Sequence, residues 1–336
     1  MIEPSKLHDP YYGTRALVLG ASGFIGRCVA RALCARGAKV SLIVRNKAVA
    51  EQTSFTYGIH GDVFELDLQN FKAVRKLLQK VNPSITFNLA GYGMDRSERD
   101  DRTAYQINAH LVEVVFETMA EGRDPEWPGQ HIVHVGTPLE YGTIGGNLSE
   151  DSIPNPTTLY GKSKLAGTQL LVRLCKAHSI KGLTARPFTV YGPGEPRGRL
   201  LPSLLETAET QRPLKLTSGE QERDFVYVED IAEGLLRLGL APAVPGDIVN
   251  LATGRLTSVR TFAETAAQII GMPQDRLKFG EIPPLAEEMH HSEVTTERLR
   301  QLTGWIPSTG IAEGIQKTLD RTSFLSLLAG ALYYCG

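Results

Sequence analysis

A turn with three glycines follows the first apolar run of the chain and restricts the fold more than any other feature. The run from Ala16 to Leu19 leads into Gly20-Ala21-Ser22-Gly23-Phe24-Ile25-Gly26, and a segment of helical period extends from Gly23 to Arg36. A second apolar run covers Lys39 to Val44. Strand, helix and strand in this order predict neighbouring strands of a parallel sheet.

The alternation of apolar runs and helical segments continues as far as Pro187. It predicts an α/β fold with a doubly wound parallel sheet, whose ligands bind beyond the carboxyl ends of the strands. The further predicted strands cover residues 85–89, 131–135 and 182–186, and the further helices 71–81, 104–121 and 160–178. We expect a flexible leader over 1–14, a nucleotide-binding domain over 15–187, and a smaller lobe over 188–336, with strands at 224–228 and 247–251 crossing between them.

The bulk composition excludes several classes of partner. Of the 336 residues, 42% are hydrophobic and 22% charged, and the formal net charge is -1, as expected for a soluble globular protein without affinity for nucleic acid or an acidic membrane. Cys28, Cys34, Cys175 and Cys335 are widely spaced, which favours reduced thiols and a cytoplasmic location. The apolar end, 323–334, is shorter than the roughly 20 residues of a membrane span and is predicted to be a last helix packed on the body or on a partner subunit.

The glycine turn has the spacing of a dinucleotide site. Glycines allow a sharp turn and a close approach to a pyrophosphate, and the N-terminus of the helix offers free N–H groups. Because the turn lies between a strand and a helix of the first βαβ unit, we interpret it as the cofactor site. The predicted contacts within it are Gly20, Ser22, Gly23, Phe24, Ile25 and Gly26.

The end of the second predicted strand bears on the choice of cofactor. An NAD site carries a carboxylate there for the ribose hydroxyls, whereas this chain has Arg45, with Lys47 nearby. A guanidinium binds a 2'-phosphate, so NADP(H) is favoured over NAD(H); a solvated loop charge is the alternative reading of Arg45. Further on, Asp67 and Leu68 are expected beside the adenine, although Asp67 also suits a cap of the helix from Gln69. The small residues of Leu89-Ala90-Gly91 leave room for a flat cofactor.

Tyr160 and Lys164 are four residues apart on one predicted helix, so both side chains project from the same face. The Lys164 ammonium is expected to lower the pKa of the Tyr160 phenol and enable it to exchange a proton while hydride moves to or from a nicotinamide. Thr137, at the end of the strand 131–135, offers a hydroxyl to the substrate oxygen. The alternative is that Thr137 is only a turn residue before Pro138.

The sequence resembles the extended short-chain dehydrogenases, which include sugar-nucleotide epimerases, dehydratases and ketoreductases and have the Rossmann fold. Besides the features above, the resemblance rests on Asn108, Tyr141-Gly142, Arg186-Pro187-Phe188, Tyr191-Gly192-Pro193, 223–230 and Gly304-Trp305. It implies that Tyr160 is the acid/base, that Lys164 also bonds the nicotinamide ribose, and that Thr137 orients the reacting oxygen. It also implies cofactor contacts at Asn108 and Pro187, a nucleotide-sugar substrate and a homodimer.

Departures from the family pattern narrow the activity. The 4,6-dehydratases have an Asp-Glu pair directly after the catalytic Thr; Pro138 and Leu139, which occupy those places here, cannot move a proton. Thr189 replaces an Asn that often holds a phosphate. The predicted substrate contacts are Thr137, Tyr92, Thr189, Arg197, Arg199, Leu200 and Arg223, with Arg223 near the diphosphate. No metal site is predicted, because no third ligand accompanies His290-His291 at a useful spacing.

These observations lead to three hypotheses. The first is an NADPH-dependent reductase of the 4-ketone of an NDP-4-keto-6-deoxy-hexose, because a consumed reductant is usually NADPH. The second is an NDP-sugar 4-epimerase that retains its cofactor. The third, from another class, is an NADP-binding sensor or scaffold without turnover, which the complete set of Tyr160, Lys164 and Thr137 disfavours.

Overall fold

The computed structural model describes residues 9–95, 97–143, 145–178, 180–283, 289 and 292–333, with side chains through residue 322. Its strands are β1 Arg15–Leu19, β2 Lys39–Val44, β3 Asp62–Glu65, β4 Ile85–Asn88, β5 Ile132–Val135, β6 Asn147–Leu148, β7 Gly182–Pro187, β8 Thr189–Tyr191, β9 Leu214–Lys215, β10 Glu222–Arg223, β11 Phe225–Tyr227, β12 Asp247–Leu251, β13 Thr257–Ser258, β14 Leu277–Lys278 and β15 Glu293–Val294. Its α-helices are α1 Phe24–Ala35, α2 Lys47–Tyr57, α3 Phe71–Val81, α4 Asp101–Tyr105, α5 Leu111–Glu121, α6 Leu159–His178, α7 Leu200–Thr210, α8 Val228–Leu240, α9 Val259–Ile270, α10 Glu297–Thr303 and α11 Ile311–Tyr333.

A seven-stranded parallel sheet forms the centre of the molecule, in the order β12-β7-β5-β4-β1-β2-β3. The chain runs outward from β1 to β3 and then returns to β4 on the other side of β1. The strand order therefore reverses between β1 and β4, which opens a crevice at their carboxyl ends. The predicted doubly wound α/β fold is confirmed, and this crevice is where the fold places a ligand.

Helices cover both faces of the sheet. One core contains Val29 of α1 and Ile231 of α8, and the other contains Val115 of α5 and Leu171 of α6. A third core, away from the sheet, is built around Phe225 and neighbours from α7 and α9. The inner strands β1, β4 and β5 are almost wholly buried because helices cover both faces, which explains why they are apolar runs in the sequence.

The segment predicted as one helix over 104–121 is divided in the structure. It consists of α4, a π-helical turn over Gln106–His110, and α5. The apolar periodicity did not reveal the interruption, because a π turn contains one extra residue whose position depends on the contacts of the turn in the folded protein. That contact involves Asn108, which is fully buried.

The flexible leader predicted over 1–14 is wrong for its second half. The side chain of Tyr11 is 1% exposed, and its hydroxyl donates a 2.6 Å hydrogen bond to the carbonyl of Leu236 in α8. The Tyr11 ring also packs against Trp127 at 5.7 Å between centroids. An aromatic residue beside two prolines and charges thus serves as a core residue. Residues 1–8 lie outside the described residues.

The chain returns to the large sheet after residue 187. β12 pairs with β7, and α8 packs against α1 although both elements follow the turn-rich segment. The division at 187 and 188 stays a prediction. The backbone of α11 includes residues predicted to form a last helix, but what their side chains contact lies outside the described residues.

Three cysteines in the described part of the chain, Cys28, Cys34 and Cys175, are free thiols. None of the helices whose residues are described has the length and apolar character needed to cross a membrane.

Candidate active site

The glycine turn is tightly packed between β1 and β4. Gly20 has a φ of +74°, and a Cβ added to it would lie 3.1 Å from the backbone of Leu89 and Ala90. A Cβ on Gly26 would lie 2.1 Å from the carbonyl oxygen of Gly20, so only glycine allows α1 to start so close to the turn. Gly23 is exposed and precedes the first residue of α1, whose first N–H groups have no acceptor within the helix. Free N–H groups at the start of a helix suit an anion, and the contact of this turn with a pyrophosphate stays a prediction.

A cavity of about 420 Å³ lies at the carboxyl ends of β2 and β3. It is lined by Arg45, Glu65, Leu66 and Asp67. Arg45 is exposed, and its guanidinium has no hydrogen bond or ion pair in the described part of the chain. Asp67 accepts a 2.9 Å hydrogen bond from the N–H of Gln69, whereas the N-cap of α3 is Asn70. Asp67 is therefore a turn residue at the rim of the cavity rather than the helix cap.

The loop after β4 is held next to the helix that carries the tyrosine. Asn108 donates to the carbonyl of Tyr92 at 2.7 Å and to the hydroxyl of Ser163 at 2.8 Å, and it accepts from the N–H of Tyr92 at 3.0 Å. Gly167 lies so close that an added Cβ would be 2.0 Å from the Asn108 carbonyl. The predicted cofactor contact Asn108 thus fixes Tyr92 relative to α6.

Lys164 is buried between the ends of two strands. Its ammonium donates to the carbonyls of Ala90 at 3.1 Å and Val135 at 2.9 Å, beyond β4 and at the end of β5. Burial lowers its pKa to about 8, and the charge of Glu140 opposes that shift. A Cβ added to Gly91 would lie 3.6 Å from the Lys164 Nζ, so the small residues after β4 make room for this side chain.

Tyr160 is half-buried at the start of α6, beside the loop that carries Tyr92. The expected lowering of its pKa by Lys164 is wrong for this structure. Burial raises the pKa of the Tyr160 phenol, the charge of Glu140 raises it further, and Arg199 opposes the rise. The reason is that the lysine ammonium is directed to the two strand carbonyls. At neutral pH the phenol is protonated and able to donate.

Thr137 is buried just beyond β5 and caps a short 3₁₀ turn, Pro138–Glu140. Its hydroxyl accepts a 3.3 Å hydrogen bond from the N–H of Leu139, which leaves its own proton for another acceptor. Thr137 is therefore a turn residue with a hydroxyl proton available at the carboxyl end of β5. Its contact with a substrate oxygen stays a prediction.

The predicted substrate residues are dispersed. Arg199 is near enough to affect the pKa of Tyr160, and Tyr92 is on the loop next to the tyrosine. Arg197 is exposed and has no ion pair among the described residues. Arg223 is half-buried and donates to the carbonyl of Met289 at 2.9 Å. The remaining two are Thr189 in β8, half-buried, and Leu200, the first residue of α7, while the predicted cofactor contact Pro187 is buried at the end of β7.

Three carboxylates near these residues were not anticipated. Glu65 lines the cavity of Arg45, Glu140 is completely buried next to Thr137, and Glu195 has a side chain only 6% exposed beside Arg199. Burial raises the pKa of Glu195 to about 7. An acid directly before the Tyr141-Gly142 pair was the one signal available for Glu140. No group of three or more His, Cys, Asp or Glu side chains within the described ranges is arranged to hold a metal ion.

Comparison with known proteins identifies the family of this chain. The model of the NAD dependent epimerase/dehydratase family matches residues 16–252. The chain belongs to this family. The chain is similar to a dTDP-6-deoxy-L-talose 4-dehydrogenase (NAD(P)(+)) of Kitasatospora kifunensis, 28% identical over 90% of this chain and 94% of that protein. It is also similar to a UDP-glucose 4-epimerase of Mycolicibacterium smegmatis, 29% identical over 91% of this chain and 97% of that protein.

Solved structures support the same fold for this family member. The UDP-glucuronic acid 4-epimerase of Bacillus cereus, solved with UDP-glucuronic acid and NAD, has a TM-score of 0.80 at 23% identity, covering 92% of this chain and 99% of that one. An epimerase of Methanothermobacter thermautotrophicus reaches 0.81 at 21% identity, with 97% of both chains covered. The chain is therefore an NAD(P)-dependent enzyme of the extended short-chain dehydrogenase/reductase type.

Proposed function

We propose that the protein is an NADP(H)-dependent reductase of the 4-keto group of a nucleotide-linked 4-keto-6-deoxy-hexose. The observation that carries the proposal is the position of Tyr160 at the start of α6, beside the loop that follows β4, because reduction of a ketone requires a proton donor at the carbonyl oxygen. The Kitasatospora relative is named for the oxidation of a 6-deoxy sugar at carbon 4, which is the reverse of this reaction.

The residues at the crevice fit a dinucleotide. The turn over 20–26 is free of side-chain bulk at its three glycines, and the end of β4 is small at Ala90 and Gly91. When bound, the nicotinamide supplies the hydride for carbon 4. Tyr160 donates its proton to the carbonyl oxygen, and Thr137 donates a hydrogen bond to the same oxygen. The Lys164 ammonium, held at the carboxyl ends of β4 and β5, is placed to bond the nicotinamide ribose.

Two basic residues support the choice of partners. The free guanidinium of Arg45 suits the 2'-phosphate of NADP(H). Arg199, near Tyr160, suits a phosphate of the sugar nucleotide, with Arg197 and Arg223 as further candidates. Pro138 and Leu139 have no side chain that moves a proton, so an elimination step is not part of the proposal.

A nucleotide-sugar 4-epimerase is the second candidate, favoured by a different observation. Glu65, at the end of β3, lines the same cavity as Arg45, and one of its carboxylate oxygens accepts from the N–H of Lys47 at 2.8 Å. Its other oxygen is an acceptor suited to the ribose hydroxyls of NAD. The relative from Mycolicibacterium smegmatis is named for this activity. An epimerase would retain its cofactor and give no net redox change.

The decisive experiment is a substrate panel. Purified protein is incubated with NADPH or NADH and a series of dTDP- and UDP-linked sugars and 4-keto sugars, while the nicotinamide absorbance and the sugar products are followed. Oxidation of NADPH by a 4-keto sugar supports the proposal. Interconversion of a sugar nucleotide without net consumption of NADPH, or NAD bound tightly after purification, supports the epimerase instead.

Tyr160→Phe tests whether the chain acts through the tyrosine. Removal of the hydroxyl removes the proton donor, so turnover is expected to fall by roughly two to four orders of magnitude, while dinucleotide binding remains. Tyr105→Phe, an exposed tyrosine elsewhere on the surface, is the control. Unchanged turnover in Tyr160→Phe contradicts the assignment of the acid.

We also propose that the enzyme is a cytoplasmic homodimer. Free thiols at the described cysteines support the compartment, and the family resemblance supports the dimer. Light scattering on the eluted protein measures the mass directly, and a monomer at micromolar concentration contradicts the dimer.

A further inference from the structure

Glu140 and Arg186 form a buried ion pair beside the crevice. The side chains are 0% and 2% exposed, and one Glu140 carboxylate oxygen accepts from Arg186 Nε at 2.9 Å and Nη2 at 2.7 Å. The guanidinium also stacks on the Tyr141 ring at 4.4 Å. A buried pair of this kind is weak evidence for stability, since desolvation offsets most of the attraction. The pair therefore calls for an explanation other than stability.

The second carboxylate oxygen of Glu140 reaches the backbone of a proposed catalytic residue. It accepts a 2.9 Å hydrogen bond from the N–H of Thr137. A Cβ added to Gly136 would lie 2.4 Å from this oxygen, so glycine at 136 makes room for the carboxylate. On the other side of Gly136, the carbonyl of Val135 accepts from Lys164. The end of β5 is thus held by Glu140 from one direction and by Lys164 from another.

The charge of Glu140 acts on both members of the proposed proton path. It raises the pKa of Tyr160 and that of Lys164. The other charged groups that act on Tyr160 are Arg199, which opposes the rise, and Glu98, which adds to it. Arg186, the ion-pair partner of Glu140, carries the opposite charge next to this carboxylate.

We propose that Glu140 is a positioning residue of the catalytic site: with Arg186 it fixes the backbone of Thr137 at the end of β5 and places its carboxylate near Tyr160 and Lys164. A negative charge there favours the protonated phenol and the protonated amine. The protonated phenol is the form from which a ketone reduction starts. The inference rests on the proposed acid/base role of Tyr160 and the ribose contact of Lys164.

The test compares Glu140→Gln with the double variant Glu140→Leu/Arg186→Met, in which two apolar side chains replace the pair. The first readout, the pH dependence of the dinucleotide dissociation constant, follows the protonation of Lys164 and needs no sugar. We expect the midpoint of this dependence near pH 8 in the wild type, because burial lowers the pKa of Lys164 to about 8, and we expect it to fall by roughly one unit in both variants. The second readout, turnover with a 4-keto sugar, is expected to fall roughly tenfold.

Glu150→Gln is the matched control, because Glu150 is also a buried carboxylate that accepts from a backbone N–H, that of Asn250 at 2.9 Å. Its midpoint should equal that of the wild type. The double variant guards against loss of folding, since it leaves no buried charge unpaired. If its melting temperature recovers and its midpoint and turnover match the wild type, the pair is only structural and the inference is overturned. A shifted midpoint without turnover of any sugar supports the inference and contradicts the proposed substrate.

Discussion

The proposed preference for NADP(H) depends on Arg45, which lines the cavity at the carboxyl ends of β2 and β3. Replacement by alanine removes a charge-assisted contact to the 2'-phosphate, so the dissociation constant of NADPH is expected to rise roughly 10- to 100-fold. Binding of NADH, which lacks that phosphate, should hardly change. Titration of both cofactors by fluorescence measures the two constants.

Lys47→Ala is the comparison for Arg45→Ala, since the Lys47 ammonium lies 3.6 Å from the carboxylate of Glu51 and is already partnered. Lys47→Ala should raise the dissociation constant of NADPH less than Arg45→Ala does. Equal weakening of NADPH and NADH in Arg45→Ala would contradict a phosphate contact and would favour Glu65 as the residue that recognises the ribose.

Glu195 is expected to make stability depend on pH. Its pKa is raised by burial from 4.5 to about 7, so the folded protein binds more protons than the unfolded chain between these values. The contribution of the protonated Glu195 side chain to the free energy of unfolding is therefore fully present below pH 4.5 and is lost as the pH rises through 7. Glu195→Gln, which cannot ionise, should be more stable than the wild type at pH 8, by up to about 3 kcal/mol.

Urea unfolding of wild type and Glu195→Gln at pH 5 and pH 8 measures this difference. Glu264, whose side chain is 43% accessible, gives the control variant Glu264→Gln. A difference between Glu195→Gln and wild type that is the same at both pH values would mean that Glu195 does not titrate in this range.

At the scale of elements, the glycine turn connects β1 to α1 and is also the proposed cofactor site. A Cβ on Gly26 would meet the backbone carbonyl of Gly20 at 2.1 Å, so in Gly26→Ala the start of α1 must move away from β1. We expect a loss of about 1–3 kcal/mol in the free energy of unfolding and at least a roughly tenfold weaker dinucleotide affinity. Gly310→Ala, whose Cβ would meet nothing within 4 Å, should change neither. Wild-type affinity in Gly26→Ala would contradict the turn as the binding site.

The parts of the candidate site that could be predicted from the sequence are those whose residues lie close together along the chain. The glycine turn and the pair Tyr160 and Lys164 are short motifs whose geometry is contained in one element and its preceding loop. Glu140 depends on Arg186, 46 residues away, and Lys164 is directed to strand carbonyls from two different elements. The sign of the pKa shift of Tyr160 follows from that packing, which no spacing along the chain contains. The π turn at Asn108 was missed for the same reason.

At the scale of the whole molecule, the positions of the strands along the chain were predicted better than the neighbouring strands with which they pair. The apolar run over 247–251 was recognised as a strand, yet only the assembled sheet shows that β12 extends the sheet at β7. An apolar run indicates burial without indicating which surface covers it. The same limit caused the error at Tyr11, where a segment rich in turn-forming residues packs against α8, 225 residues further along the chain.

Tyr11 is therefore expected to stabilise the fold. Tyr11→Phe removes the hydrogen bond to Leu236 and should cost about 1 kcal/mol, whereas Tyr11→Ala also removes a buried ring and should cost about 3 kcal/mol or more. Gly239, where an added Cβ would lie 2.3 Å from the Tyr11 hydroxyl, leaves the space for this side chain. Denaturant unfolding of both variants, with Phe55→Ala as a control at a side chain 70% exposed, measures these differences. If Tyr11 belonged to a flexible leader, neither substitution would lower the free energy of unfolding. Equal stability of wild type and Tyr11→Ala would therefore support the flexible leader predicted from the sequence.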